Sequence, residues 1–150
     1  MTSTDPIIAV SMNKDNYTYE VIKRTNQFSV SILSEQINPN VIAALGFASG
    51  RDTDKFDGIG AGMIHDLPIL SENCCGYMIC GVVSMLETST HFVILAKVRD
   101  AFGSSALPPM TYKYYHDVIK GKAPKNAPTY VAEEKKGVYR CPVCDYLYEG

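Results

Sequence analysis

Cys141 and Cys144 stand three positions apart in the segment Tyr139-Arg140-Cys141-Pro142-Val143-Cys144-Asp145-Tyr146-Leu147-Tyr148-Glu149-Gly150. Two thiols on a turn opened by proline can aim both sulfurs at one metal, and N–H groups of the turn can stabilise their charge. Tetrahedral iron or zinc takes four such ligands, while thiol-redox pairs share the same spacing. Cys74, Cys75 and Cys80 lie together in an apolar stretch. Cys74 and Cys75 are strand neighbours pointing to opposite faces, and Cys80 reads as a small core residue. Five cysteines so distributed argue against a secreted disulfide framework and for a reducing compartment.

Two polar clusters could hold an anion. Asn13, Lys14, Asn16 and Thr18 lie at a helix start, where free N–H groups and hydroxyls favour phosphate. Ser49, Gly50, Arg51 and Lys55 form the second, with glycine permitting close backbone approach and Arg51 offering a planar fork. On spacing alone, a capped helix and a solvated loop explain the same residues. His91 follows Thr88-Ser89-Thr90 and opens a strand, a place where a satisfied rim histidine is the ordinary reading.

The elements that must position these groups are readable from periodicity. Ile7 to Met12 predicts a strand buried on both faces. Asn16 caps a helix from Tyr17 to Thr25 that buries Val21 and Ile22. Phe28, Val30 and Ile32 alternate with Ser29 and Ser31, giving a half-buried strand. Asn38-Pro39 starts a second helix with the stripe Val41, Ile42 and Leu45. Asp57-Gly58, Gly60 and Gly62 mark turns. A long strand from Cys75 to Leu86, broken by Gly81, turns at Thr88 to Thr90 and returns over His91 to Val98. Phe92, Ile94, Ala96 and Val98 share one face of the return strand; His91, Val93, Leu95 and Lys97 share the other. A helix from Thr111 to Lys120 is stopped by Gly121, and its Tyr112, Tyr115 and Ile119 form a packing stripe. The expected class is mainly β (α+β), a small barrel with helical excursions. Residues 1–130 form the body, 131–137 a charged linker, and 138–150 a separate unit.

The 150 residues suit one domain with a real core, and 46% hydrophobic with 20% charged content argues against disorder. A formal charge of -2 gives no reason to expect nucleic acid as a partner. No apolar run approaches the ~18 residues of a membrane span, and Met1 to Pro6 has no signal-peptide pattern. A cytoplasmic protein is expected.

Residues 138–150 resemble the N-terminal knuckle of a rubredoxin, which carries a second C-x-x-C further along. Here the chain ends six residues after Cys144, so iron is expected only if another cysteine pair is supplied. The body resembles the flavin reductase-like FMN-binding split-barrel family, flavin reductase–rubredoxin fusion branch. The resemblance rests on Asp5-Pro6, Asn13 to Thr18, Ser49 to Phe56, Tyr114 to Lys122 and Ala127 to Tyr130. It implies an incomplete split β-barrel lacking its first strands, with FMN as cofactor and NAD(P)H as substrate. It also implies a homodimer and a rubredoxin-type or flavodiiron-type electron acceptor. Carried over residue by residue, Thr2, Ser3, Asn13, Lys14, Asn16, Thr18, Ser49, Gly50, Arg51 and Lys55 would contact the cofactor. His91 would be catalytic beside the nicotinamide face, and Cys141 and Cys144 would ligate metal. Two other classes compete: a non-catalytic flavin-binding or dimerisation remnant, and a zinc knuckle.

Overall fold

The computed structural model describes residues 4–47, 49–51 and 54–122, together with the backbone of 139–140 and 147–148. In chain order the body runs β1 (Ile7–Asn13), α1 (Tyr17–Thr25), β2 (Gln27–Leu33), α2 (Pro39–Phe47), β3 (Ala61–Ile64), β4 (Leu67–Leu70), β5 (Cys74–Glu87), β6 (His91–Gly103) and α3 (Tyr112–Asp117). Tyr139–Arg140 pairs with Leu147–Tyr148 as two short antiparallel strands, β7 and β8.

Four strands make the main sheet in the order β1-β6-β5-β2, antiparallel throughout. The alternation expected for the return strand is observed: Ile94 and Ala96 are fully buried, whereas Leu95 is exposed. They join Ile22 of α1, Phe28 of β2 and Cys80 of β5 in the core, with Val10, Val30 and Phe92 packed around them. Tyr19 of α1 stacks on Phe92 with ring centroids 4.4 Å apart. The helix therefore lies across the inner face of the sheet and closes its core.

Several expectations need correction. β1 is an edge strand with Ala9 and Ser11 exposed, so only one face is covered. Gly81 does not break β5; the Arg99 side chain lies over it, where a Cβ would collide with the guanidinium. Register shifts fall on either side, at Ile79/Cys80 and Val82/Ser84, and such bulges bend a strand without ending it. β6 continues beyond Val98 to Gly103. α3 ends at Asp117, because Lys120 takes a left-handed conformation (φ 60°) and Gly121 packs against the Tyr115 ring.

The β3–β4 hairpin appears as an unanticipated two-stranded sheet. His65 and Asp66 both have positive φ, 50° and 61°, as a two-residue turn matching strand twist requires. Pro68 and the shortness of both strands hid this hairpin from a period-2 reading. It packs against β2 and β5. Among the described residues no helix is long and apolar enough to cross a membrane.

Candidate functional site

The free edge of β2 sets the geometry. Val82 N–H donates to Asn26 O, which makes the Gln27–Gly81 pair a non-hydrogen-bonded one in the register observed. Phe28, Val30 and Ile32 therefore exchange ladder bonds with β5. The backbone N–H and C=O groups of Gln27, Ser29 and Ser31 point the other way, out of the sheet. There they meet a cavity of about 700 Å³, with α1 on one side and the β3–β4 hairpin on the other. Ligand sites fall at roughly 300–1,000 Å³, so the space suits a molecule of cofactor size.

Its walls divide by chemistry. Val21, Ile22, Phe28, Leu33 and Leu70 make an apolar floor, and Thr18, Ser29, Ser31, Asp54, Lys55 and Asp66 supply polar groups. Lys55 Nζ donates to Leu45 O at 2.8 Å, and burial lowers its pKa from the ordinary lysine value. A cation held partly out of water gains most from an anionic ligand.

Of the residues proposed from sequence, Thr18, Gly50 and Lys55 line this cavity. Gly50 serves Tyr17: a Cβ there would lie 3.2 Å from Tyr17 Cδ1, and the Arg51 guanidinium lies 5.6 Å from the same ring. Arg51 does not present a free fork, because it ion-pairs with Glu20. Ser49 Oγ accepts from Arg51 N–H at 3.3 Å, shaping the loop. Asn16 occupies the N-cap position with extended backbone, yet its side chain makes no capping bond.

Asn13, Lys14 and His91 gather elsewhere, where β1 meets β6 and Asn13 stands opposite His91. Asn13 Oδ1 accepts from Asp15 N–H at 2.9 Å. Lys14 Nζ donates to Glu87 at 2.5 Å and sits 5.3 Å from the Phe92 ring centroid. The Lys14 hydrogen bond and charge, with Lys23 adding to them, hold the Glu87 carboxyl below its ordinary value. His91 Nδ1 is 2.8 Å from Thr90 Oγ1, and Nε2 is buried without a partner among the described residues. An orphaned buried nitrogen is uncommon and calls for an explanation. Thr2, Ser3, Cys141 and Cys144 lie outside the described residues. Among the described residues no three His, Cys, Asp or Glu side chains cluster as a metal would require.

Sequence reasoning missed Tyr17, Ser29, Ser31 and Asp66. The serines occupy the polar face of an alternating strand, which reads as solvent-facing until β4 is placed beside it. Together these groups can enclose a flat ring, meet a polar ring edge with backbone donors and acceptors, and hold one anionic end at Lys55.

Residues 1–121 match the flavin reductase like domain family. The chain is 36% identical to the high molecular weight rubredoxin of Moorella thermoacetica, covering 99% of this chain and 69% of that protein. It is 30% identical to the ferric-chelate reductase (NAD(P)H) of Archaeoglobus fulgidus, over 87% of this chain and 78% of that one. Among solved structures it is similar to a Streptomyces globisporus NADH:FAD oxidoreductase, with TM-score 0.63 and 20% identity over 73% of this chain and 66% of that chain. It is also similar to flavoredoxin from Methanosarcina acetivorans, with TM-score 0.62 and 23% identity over 70% of this chain and 56% of that chain. The chain thus spans less than two thirds of either structure's length, and these two likenesses speak to fold alone. On the domain match and the two relatives, the chain belongs to the flavin reductase like family of oxidoreductases.

Proposed function

We propose that this chain is an NAD(P)H-dependent flavin reductase that holds FMN in the cavity along β2. The observation that carries the reading is the cavity itself: an apolar floor, the outer edge of β2 and a partly buried lysine around about 700 Å³. These groups fit the three parts of a flavin mononucleotide. Ser29 and Ser31 would meet the polar edge of the ring with backbone groups, and Lys55 with the Thr18 hydroxyl would receive the phosphate. Val21, Phe28 and Leu33 would exclude water from the ring face. When bound, the isoalloxazine ring supplies acceptance of a hydride and release of single electrons. The chain's share is binding, orientation and exclusion of water. His91 lies where β1 meets β6, apart from this cavity, and has no part in the flavin site proposed here.

The finer parts of the reading follow from family and surface. A rubredoxin-type iron centre as acceptor is supported by the fusion relative, whose match extends over 99% of this chain. In this division residues 1–130 form the reductase body, 131–137 the linker and 138–150 the start of a rubredoxin-like unit, whose Cys141 and Cys144 would hold iron with a second cysteine pair. A homodimer is supported by Leu86 and Leu95, both exposed on the outer face of β5 and β6. Free thiols at Cys74, Cys75 and Cys80 support a reducing cytoplasm.

The test is an FMN titration of the purified chain, followed by NADH and NADPH oxidation on the loaded protein. Saturable one-to-one binding with turnover is expected. Binding without turnover would select the non-catalytic flavin module, and a folded chain that takes no flavin would overturn the reading.

A further inference from the structure

β4 runs beside the free edge of β2 without joining it in a ladder. Two side chains make the connection instead: the Ser29 hydroxyl donates to Pro68 O, and Ser31 Oγ accepts from Leu70 N–H at 3.0 Å. Pro68 has no N–H to offer a neighbouring strand. The hairpin is held unequally along its length. At the base, Ser71 donates both its N–H and its hydroxyl to Gly60 O at 2.9 Å, and Ile69 and Leu70 are buried. Asn73 O, just beyond, accepts from Ser34 N–H at 3.1 Å and from its hydroxyl at 2.6 Å. Toward the tip the hold weakens. Met63 is 66% exposed, and the turn is tied across to β6 by His65 Nε2 at 3.4 Å from Asp100 Oδ2. Yet Asp66, Leu67 and Pro68 form one wall of the cavity.

We propose that residues 62–68, the outer half of the hairpin, are a gate over the cavity, latched by the Ser29 hydroxyl and by His65 on Asp100. The base stays fixed while the outer half opens. Segments of low local stability are the ones recruited to cover binding sites, and a wall held by side-chain bonds opens without breaking a backbone ladder. The proposal rests on the flavin reading only for the identity of the molecule that passes.

The experiment uses the full chain with a reporter cysteine, Gln27→Cys, in the cavity wall toward the hairpin tip, labelled by a bulky maleimide and read at that site by mass spectrometry. Ser29→Ala removes one latch; Ser29→Thr keeps the hydroxyl. Loss of one such bond should speed labelling about fivefold, and the threonine variant should restore the slow rate. Amide exchange over 62–67 should rise in Ser29→Ala while β5 and β6 stay protected. His65→Ala removes the other latch at a side chain outside the cavity lining; in it FMN association and dissociation should accelerate together, with little change in Kd. Unchanged labelling in Ser29→Ala, or no restoration by threonine, overturns the gate. Faster labelling with unaltered FMN rates overturns it as the route of flavin. Should FMN fail to bind the unaltered chain, the labelling and exchange results still decide the gate while the flavin reading falls alone.

Discussion

Replacing Lys55 by methionine keeps much of the side-chain length in the cavity wall and removes its charge. In the native chain Nζ gives one hydrogen bond to Leu45 O, at 2.8 Å, and burial already lowers its pKa. Losing that charge-assisted bond costs at most about 1.5–3 kcal/mol of folding stability, partly offset because a partly desolvated charge is removed with it. A hydrogen bond to a charged group is worth about 1.5–3 kcal/mol. At about 1.4 kcal/mol per decade, the Kd for FMN should rise about 10- to 150-fold. Riboflavin carries the same ring without phosphate, so its Kd should stay within about twofold. The assay is a paired fluorescence titration of both flavins with wild type and Lys55→Met. Equal losses for the two ligands, or no loss for FMN, would refute the assignment of Lys55 to the phosphate.

Gly76→Ala should destabilise the body by about 1–3 kcal/mol or more, because its Cβ would strike Phe102 O and lie 2.9 Å from Gly103 Cα, both backbone atoms; urea midpoints measure this. Gly81→Ala should cost much less, since only the movable end of Arg99 stands in the way, and equal costs would contradict this reading. Glu87, held low by Lys14, contributes stability above the ordinary glutamate value and loses it as pH falls through the folded value. The stability difference between wild type and Glu87→Gln should therefore be present at neutral pH, vanish in acid and shrink with added salt.

The sequence carried the local elements well and the long-range ones poorly. Helix α1 over Tyr17–Thr25 was legible because a polar turn, Asn16 and an apolar stripe agree. The two faces of β6 were legible because Ile94 and Leu95 obey a period of two. Arg51 looked like a free fork because Glu20, its partner, is 31 positions away. Ser29 and Ser31 each find their β4 partner 39 positions on, so their polar face read as solvent. Burial of β1 on both faces failed for the opposite reason: its composition suits a central strand, and sheet order made it an edge. Of the residues named by the resemblance, Thr18, Gly50 and Lys55 fall on the cavity, while its other walls came only from the three-dimensional arrangement.

Tyr17 stands at the cavity with Gly50 against one side of its ring and Arg51 nearby, itself tied down by Glu20. A side chain that must be frozen when a ligand arrives takes roughly 0.5–1.5 kcal/mol from the affinity. Here part of that restriction comes with folding, through a loop and a helix that meet at the Tyr17 ring. A ring packed in this way has less rotational freedom left to lose when a ligand settles beside it.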